Sequence, residues 1–320
     1  MRIAPAQIAP VWLQREPTLA KVEAAVAEAA AQGAQLVVFG EALVPGYPFW
    51  VELTDGARFG STEQQAFYAH YVEQAVDLAA GHLDGVRAAA RSHRLHVVLG
   101  LIERPAERGD SVYCSAVTIA PDGRVHNVHR KLMPTYEERL VWAQGDGHGL
   151  RTFALGEFTV GTLNCWENWL PLARAALHAQ GEDLHLSLWP GNVRNTEHLA
   201  RHIALEGRCY SLAVSGLLRR EDVPSTLPFA ARLQAVLPDV SANGGSCVAA
   251  PDGQWLLPPQ SSGEGVFVVD LDAAAVRAAR HNLDISGHYA RPDVLQLTLD
   301  SRRQAVLAIA DADATRPGRE

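Results

Sequence analysis

Two hydrophobic rhythms succeed one another along this chain. Residues 14–31 carry apolar positions at helical spacing on an Ala- and Glu-rich background, and Gly33 stops the pattern. The apolar run that opens 36–41 then predicts a strand that delivers a carboxylate at its end. The same alternation continues: helices are predicted at 61–80 and 83–92, and strands at 95–103 and 112–119. A strand pair at 153–155 and 158–163 precedes a helix at 171–180 with Pro171 at its start, a strand at 184–189 and a helix at 196–209. Strands at 210–217, 246–250 and 265–270 and a helix at 273–280 complete an α/β pattern. The segment 219–243, with Pro224, Pro228 and Pro238, reads as a surface insertion, and the polar end after Ala310 as frayed. Ser115-Ala-Val-Thr-Ile-Ala-Pro-Asp-Gly123 partly recurs as Ser246-Cys-Val-Ala-Ala-Pro-Asp-Gly253. One strand–turn–strand unit in each half points to a pseudo-symmetric pair of sheets.

Three strand ends carry candidate chemistry. Cys165, in Leu163-Asn-Cys-Trp-Glu-Asn168, falls at a sharp strand-to-helix junction. There, backbone N–H groups and the helix dipole favour a thiolate. Glu41 ends an apolar strand just before a Pro-Gly-Tyr-Pro turn, a setting that raises a carboxyl pKa and suits a general base. Lys131 ends the strand that leaves the Asp122-Gly123 turn, and Pro134 stops it; a lysine there can hold positive charge over a developing anion. Taken singly, each has a plainer reading: a small buried thiol, a solvent-facing strand-end Glu, and a solvated His129-Arg130-Lys131 cluster. Glu137 and Glu138 read singly as an exposed acidic pair.

A strand-end Glu, Lys and Cys in that order resemble the catalytic set of the nitrilase superfamily, and the likeness covers nearly the whole chain. Phe39-Gly-Glu41-Ala-Leu-Val-Pro-Gly-Tyr-Pro48 resembles the family's glutamate motif, and His129-Arg-Lys131-Leu-Met-Pro-Thr135 its lysine motif. Leu163-Asn-Cys165-Trp-Glu-Asn168 resembles its cysteine motif, and Glu138 matches the second glutamate that follows the lysine. Trp166 directly after the cysteine, and Gly287-His-Tyr-Ala-Arg-Pro-Asp-Val294, resemble the true nitrilase branch. Asn168, where many nitrilases have His, and the short tail after Val294 depart from the pattern.

The resemblance implies an α/β fold, a four-layer α-β-β-α sandwich with a single domain over 1–294 and a short tail over 295–320. It implies hydrolysis of a nitrile to a carboxylic acid and ammonia through a Cys165 thioimidate and thioester, with no cofactor and no metal. Glu41, Lys131, Cys165 and Glu138 would be catalytic. Tyr47, Trp50, Tyr136, Trp166, Trp189 and Pro190 would line an aromatic pocket. The alternative on the same scaffold is an amidase or carbamoylase; a non-catalytic binding protein is the alternative of a different class. Relatives dimerise through the helix after the cysteine and the next one, and many grow into spirals. A homodimer or larger homo-oligomer is therefore expected, through faces such as Ala173, Ala176, Leu177, Ile203 and Ala204.

Bulk properties narrow the picture further. The chain has 320 residues, 48% hydrophobic and 20% charged, enough for a large core. A formal net charge of −8 with no basic patch excludes nucleic acid as the expected partner, leaving a small molecule. No apolar run reaches membrane-spanning length, and the N-terminus has no signal-peptide core, so the cytoplasm is expected. The four cysteines 114, 165, 209 and 247 are far apart and read as reduced thiols. His198 and His202 have a zinc-like spacing, but no third ligand is placed near them, so they read as surface or packing residues.

Overall fold

Residues 1–261 and 263–307 are described in the computed structural model of the chain. In the first half, β1 (Arg2–Gln7), β2 (Leu36–Phe39) and β3 (His96–Glu103) run parallel. Beyond β3, β4 (Tyr113–Ile119) and β5 (Val125–Arg130) extend the sheet antiparallel. Between these strands lie α1 (Arg15–Ala31), α2 (Trp50–Leu53), α3 (Thr62–Gln74) and α4 (Asp84–His93). In the second half, β6 (Phe153–Leu155) pairs antiparallel with β7 (Phe158–Asn164). β7 runs parallel to β8 (Leu184–Trp189), and β8 to β9 (Tyr210–Ser215). α5 (Pro171–His178) and α6 (Val193–Gly207) connect these parallel strands. The chain then forms a separate pair, β10 (Leu217–Arg219) and β11 (Val240–Asn243), with α7 (Ala230–Val236) between them. β12 (Ser246–Ala249) and β13 (Trp255–Gln260) complete the second sheet, in the order β13-β12-β9-β8-β7-β6. The short strands β14 (Gly265–Val266) and β15 (Val269–Asp270) return to pair with β1, and α8 (Ala273–Arg280) follows.

The two sheets share one plan: three parallel strands beside an antiparallel hairpin turned at Gly123 or Gly253, both at positive φ. Strand alternation makes the layers. Ile3, Leu36, Val38 and Val98 face Val160, Leu186, Leu212 and Val248 across the space between the sheets. The alternate residues Ala4, Val37, Phe39 and Val97 pack on Leu19, Val22 and Val26 of α1 and on Val86 and Ala90 of α4. On the far side, α5 buries Ala173 and Leu177 against Leu163, and α6 buries Leu199 and Ile203 against Ala213. Helix, sheet, sheet, helix is the expected four-layer sandwich.

Several boundaries differ from the expectation, each for a local reason. The helix predicted over 61–80 ends at Gln74, because Val76 bonds the edge of β3, its N–H donating to Ile102 O at 2.7 Å. The strand predicted over 210–217 breaks at Gly216, where a Cβ would meet Pro190 O at 2.6 Å. The segment 219–243 is not a simple surface insertion. Leu227, Leu233 and Leu237 are buried with Trp12 and Trp50, and the segment contributes α7 and β11. Ala173, Ala176, Leu177, Ile203 and Ala204 are all buried within the subunit and present no free face; exposed apolar side chains beside them are Trp169, Leu170, Leu172 and Leu205. The start of the tail docks: Arg303 donates to Asp146 Oδ1 at 3.0 Å and to Val128 O at 2.8 Å. The polar end after Ala310 lies outside the described residues.

Candidate active site

Glu41 is delivered by the carboxyl end of β2 to the point where the two sheets meet. Its N–H donates to Trp189 O, at the end of β8, at 3.1 Å. Gly40 permits this approach, since a Cβ there would stand 2.7 Å from the same carbonyl. The Glu41 side chain is buried; Oε1 accepts from Lys131 Nζ at 2.9 Å and from the Cys114 thiol at 3.4 Å. Burial pushes its pKa up to about 7, against the pull of the Lys131 charge and with help from Glu138.

Lys131 follows β5, anchored by its N–H to Cys114 O and its carbonyl to Gly145 N–H, both at 2.8 Å. Its ammonium bridges Glu41 Oε1 at 2.9 Å and Glu138 Oε2 at 2.7 Å. Burial opposes that charge, but Glu41, Cys165 and Glu138 outweigh it and hold the pKa well above the ordinary lysine value. Glu138 sits in a single 3-10 turn (Tyr136–Leu140), and its Oε2 also accepts from Thr135 N at 2.6 Å. The Tyr47 hydroxyl donates to Glu138 Oε1 at 2.9 Å. Burial and the Glu138 charge keep that phenol well above its usual pKa, so it remains a donor. His129, Arg130 and Lys131 are therefore no solvated cluster, since all three are buried and each faces a carboxylate.

Cys165 opens a 3-10 turn (Cys165–Trp169) directly after β7, with φ at 46°, a left-handed conformation rare for a non-glycine residue. Two side chains hold this elbow. Glu167 accepts from Asn164 N at 2.9 Å and from Leu132 N at 2.8 Å, and pairs with His129 Nε2 at 2.8 Å, tying the cysteine turn to the lysine strand. Asn168 Nδ2 donates to Cys165 O at 2.8 Å, while its Oδ1 meets Ser187 Oγ at 2.8 Å and His185 Nε2 at 2.7 Å. The Cys165 sulfur, a Glu41 oxygen and a Glu138 oxygen lie within 4.8 Å of one another. Burial and the Glu41 charge push the thiol pKa well up, opposed by Lys131 and by the Trp166 N–H that donates to the sulfur. The resting thiol is neutral, with the Glu41 and Glu138 carboxylates beside it.

Cys165 faces a cleft of about 490 Å³ whose walls include Tyr47, Tyr136, Trp166 and Pro190, four of the expected pocket residues. Trp50 and Trp189 are the corrections. Phe49 and Leu53 face the cleft from one side of α2, and Trp50 falls on the other side, edge-on to Tyr71 at 4.7 Å. The Trp189 ring is buried with Leu199 and Ile203 in the cluster that also holds Cys165. Its carbonyl, not its ring, serves the site. Residues not anticipated from the sequence are Phe49, Arg194 and, from the supposed surface insertion, Pro238, Val240 and Ser241. Cys114 was also missed beyond its being a buried thiol.

Among the described residues, two clusters of His, Cys, Asp or Glu come close enough to hold a cation. In Glu41, Glu138 and Cys165, the Lys131 ammonium already fills that place. In His178, Glu182 and Cys209, the Glu182 carboxylate is shared between His178 at 3.0 Å and His185 at 2.9 Å. His198 is exposed and lies beside Glu197, and His202 points toward Glu206.

The sequence profile of the carbon-nitrogen hydrolase family matches residues 2–281. An aliphatic nitrilase from Sinorhizobium fredii is 35% identical over 306 residues, covering 96% of this chain and 97% of that one. A bifunctional nitrilase/nitrile hydratase from Lupinus angustifolius is 34% identical, covering 93% of this chain and 86% of its own. Among solved structures, a carbon-nitrogen hydrolase from Helicobacter pylori superposes with a TM-score of 0.65 at 18% identity, over 92% of this chain and 96% of that one, which shows the shared fold. Glu, Lys and Cys at the ends of matched strands, a family profile over most of the length and nitrilases among the nearer relatives lead to one conclusion: the chain belongs to the carbon-nitrogen hydrolase family, in its nitrilase branch.

Proposed function

We propose that this protein hydrolyses an organic nitrile to the carboxylic acid and ammonia, with Cys165 as nucleophile. The observation that carries the reading is a buried thiol facing the cleft with the Glu41 carboxylate within 4.8 Å behind it and the Lys131 ammonium fixed on that carboxylate at 2.9 Å. A nitrile carbon is a weak electrophile, and a sulfur nucleophile suits it better than a hydroxyl. Glu41 takes the thiol proton as the C–S bond forms and returns it to nitrogen, giving a thioimidate. Lys131 and the Trp166 N–H stabilise the negative charge as it builds. A water then gives one proton to Glu41 as it adds to the same carbon, and Glu41 passes that proton to nitrogen; as the new hydroxyl becomes the thioester carbonyl its proton follows by way of Glu41, so ammonia leaves and a thioester remains. A second water, activated the same way, releases the acid and restores the thiol. Glu138, held by Tyr47 and Thr135, keeps Lys131 in place. Expulsion of the thiol at the tetrahedral stage releases an amide instead, in keeping with a bifunctional relative.

Tyr47, Tyr136, Trp166 and Pro190 are proposed to contact the substrate, whose apolar part would lie on these walls. A homodimer is proposed through Trp169, Leu170, Leu172 and Leu205, exposed side chains on and beside the two helices that follow the cysteine. Domain limits of 1–294 and a reducing, cytoplasmic setting complete the reading. Four unpaired, buried cysteines support that setting, and no helix among the described residues is long and apolar enough to cross a membrane. The test is a panel of nitriles and their matching amides, with ammonia and acid both measured. Turnover of nitriles is expected; turnover of the amides alone would make the protein an amidase.

A further inference from the structure

The two oxygens of the Glu41 carboxylate have unlike surroundings. Oε1 accepts from Lys131 Nζ at 2.9 Å and from Cys114 Sγ at 3.4 Å. Oε2 is buried and has no hydrogen-bond partner. A carboxylate oxygen left bare in the interior is costly and rare, and here it is the one free to receive a proton. Cys114 is fully buried on β4 and meets both charged partners: its carbonyl accepts from Lys131 N at 2.8 Å, and its thiol donates to Glu41.

We propose that Cys114 is a positioning residue for the general base, its thiol holding Glu41 Oε1 so that the bare Oε2 is left to take the Cys165 proton. This rests on Glu41 acting as the base for Cys165, as argued above. Lys131 alone does not fix the carboxylate, because Glu138 draws the same ammonium at 2.7 Å. A second donor at Oε1 removes the rotation that would exchange the two oxygens. It also favours the charged form of Glu41, since a thiol can donate to a carboxylate but not to a carboxyl oxygen that carries its own proton toward it. The other groups around Glu41 cannot stand in. Lys131 is already engaged, Glu138 repels, and the Tyr47 and Tyr71 hydroxyls donate to Glu138 and to Gly46 O. The plainer account makes Cys114 a packing thiol among Ile102, Val112 and Trp142. That account gives its loss an effect on stability and none on how Cys165 reactivity follows pH.

The experiment is the rate of Cys165 alkylation by iodoacetamide from pH 5.5 to 9, followed by mass spectrometry of the Cys165 peptide. It needs no substrate and compares the parent with Cys114→Ala, Cys114→Ser and Glu41→Gln. Glu41→Gln should lose the rise near neutral pH. Cys114→Ala should move that rise to higher pH and slow alkylation at pH 6.5 by about three- to tenfold, the scale of one modest hydrogen bond. Cys114→Ser, which keeps a donor of similar size, should return toward the parent, and Cys114→Val replaces the alanine variant if that one does not fold. If the Cys114→Ala profile superimposes on the parent while Glu41→Gln loses the rise, the positioning role is wrong and the base assignment stands. If Glu41→Gln keeps the parent's profile, Glu41 is not the base and both fall.

Discussion

Glu41 hangs from Trp189: the glutamate N–H donates to the tryptophan carbonyl at 3.1 Å, joining the carboxyl end of β2 in one sheet to that of β8 in the other. The proposed base thus belongs to the first sheet and is held by a strand of the second, close to the turn that carries the proposed nucleophile. Active sites of open α/β sheets gather at such strand ends. Here two sheets bring their ends to one place, and both cores support it.

That contact has no spare room. Gly40→Ala places a Cβ 2.7 Å from Trp189 O, and either β2 or β8 must move. We expect a stability loss of about 1–3 kcal/mol, as for other overpacked positions, together with a fall in kcat. Thermal melting and steady-state rates measure both; an unchanged kcat in a folded Gly40→Ala protein would show that the junction does not set the geometry.

The charged partners should separate by pH. As the proposed base, Glu41 acts as the carboxylate, and burial raises its pKa to about 7, so kcat/KM should fall roughly tenfold per unit as pH drops below that value. Glu41→Gln should cost at least about 10²-fold at its optimum. Lys131→Met should be comparably damaging and should also destabilise, since it strands two buried carboxylates. Glu138→Gln should be the milder change in the chemical step. A Glu138→Gln loss larger than that of Glu41→Gln would exchange their roles.

Stability carries the opposite sign from activity at Glu41. Its folded pKa is raised above the unfolded value, so the native state binds the extra proton between pH 4.5 and about 7. Stability from this group is full below that window and is lost as pH rises through it, on the order of 3 kcal/mol. Melting temperatures of the parent relative to Glu41→Gln should therefore decline from pH 5 to pH 8. A constant difference across that range would contradict the raised value.

The cysteine elbow depends on Asn168, whose side chain joins the Cys165 carbonyl to Ser187 and His185. Asn168→Ala leaves three buried polar groups short of a partner. We expect about 1–3 kcal/mol of lost stability and a lower kcat with KM little changed. A loss confined to stability would reduce Asn168 to a packing role.

Assembly can be tested on the face the structure exposes. Leu172→Asp changes a side chain 69% exposed and should split the proposed dimer without unfolding the subunit. Ala176→Asp, only 6% exposed, should unfold it instead. Light scattering that shows the parent to be a fully active monomer would remove the dimer.

The sequence revealed most where chemistry and periodicity coincided. The apolar run before Glu41, the Pro134 stop after Lys131 and Pro171 after Cys165 marked three strand ends, and these residues meet at one place. It was least informative about direction. Trp50 and Trp189 are aromatic and near the site in the chain, yet neither lines the cleft, because the side of a short helix or a strand end they occupy follows from packing. The leucines 227, 233 and 237 sit in a proline-marked segment at no single period, and their burial depends on Trp12 and Trp50, far away in sequence. Cys114 gave no signal at all. Every residue of β4 is buried, and only the pairing of β4 with β3 and β5 puts this one beneath Glu41.

The most direct test of the central claim is peptide mapping of the protein quenched during turnover of a nitrile, with ammonia release measured alongside, for the parent and for Cys165→Ala. The parent should release ammonia and acid and carry an acyl or imidoyl adduct on the Cys165 peptide. Cys165→Ala should fold, show no adduct and release no ammonia. Substantial ammonia from Cys165→Ala, or an adduct that maps to another residue in the parent, would contradict the account.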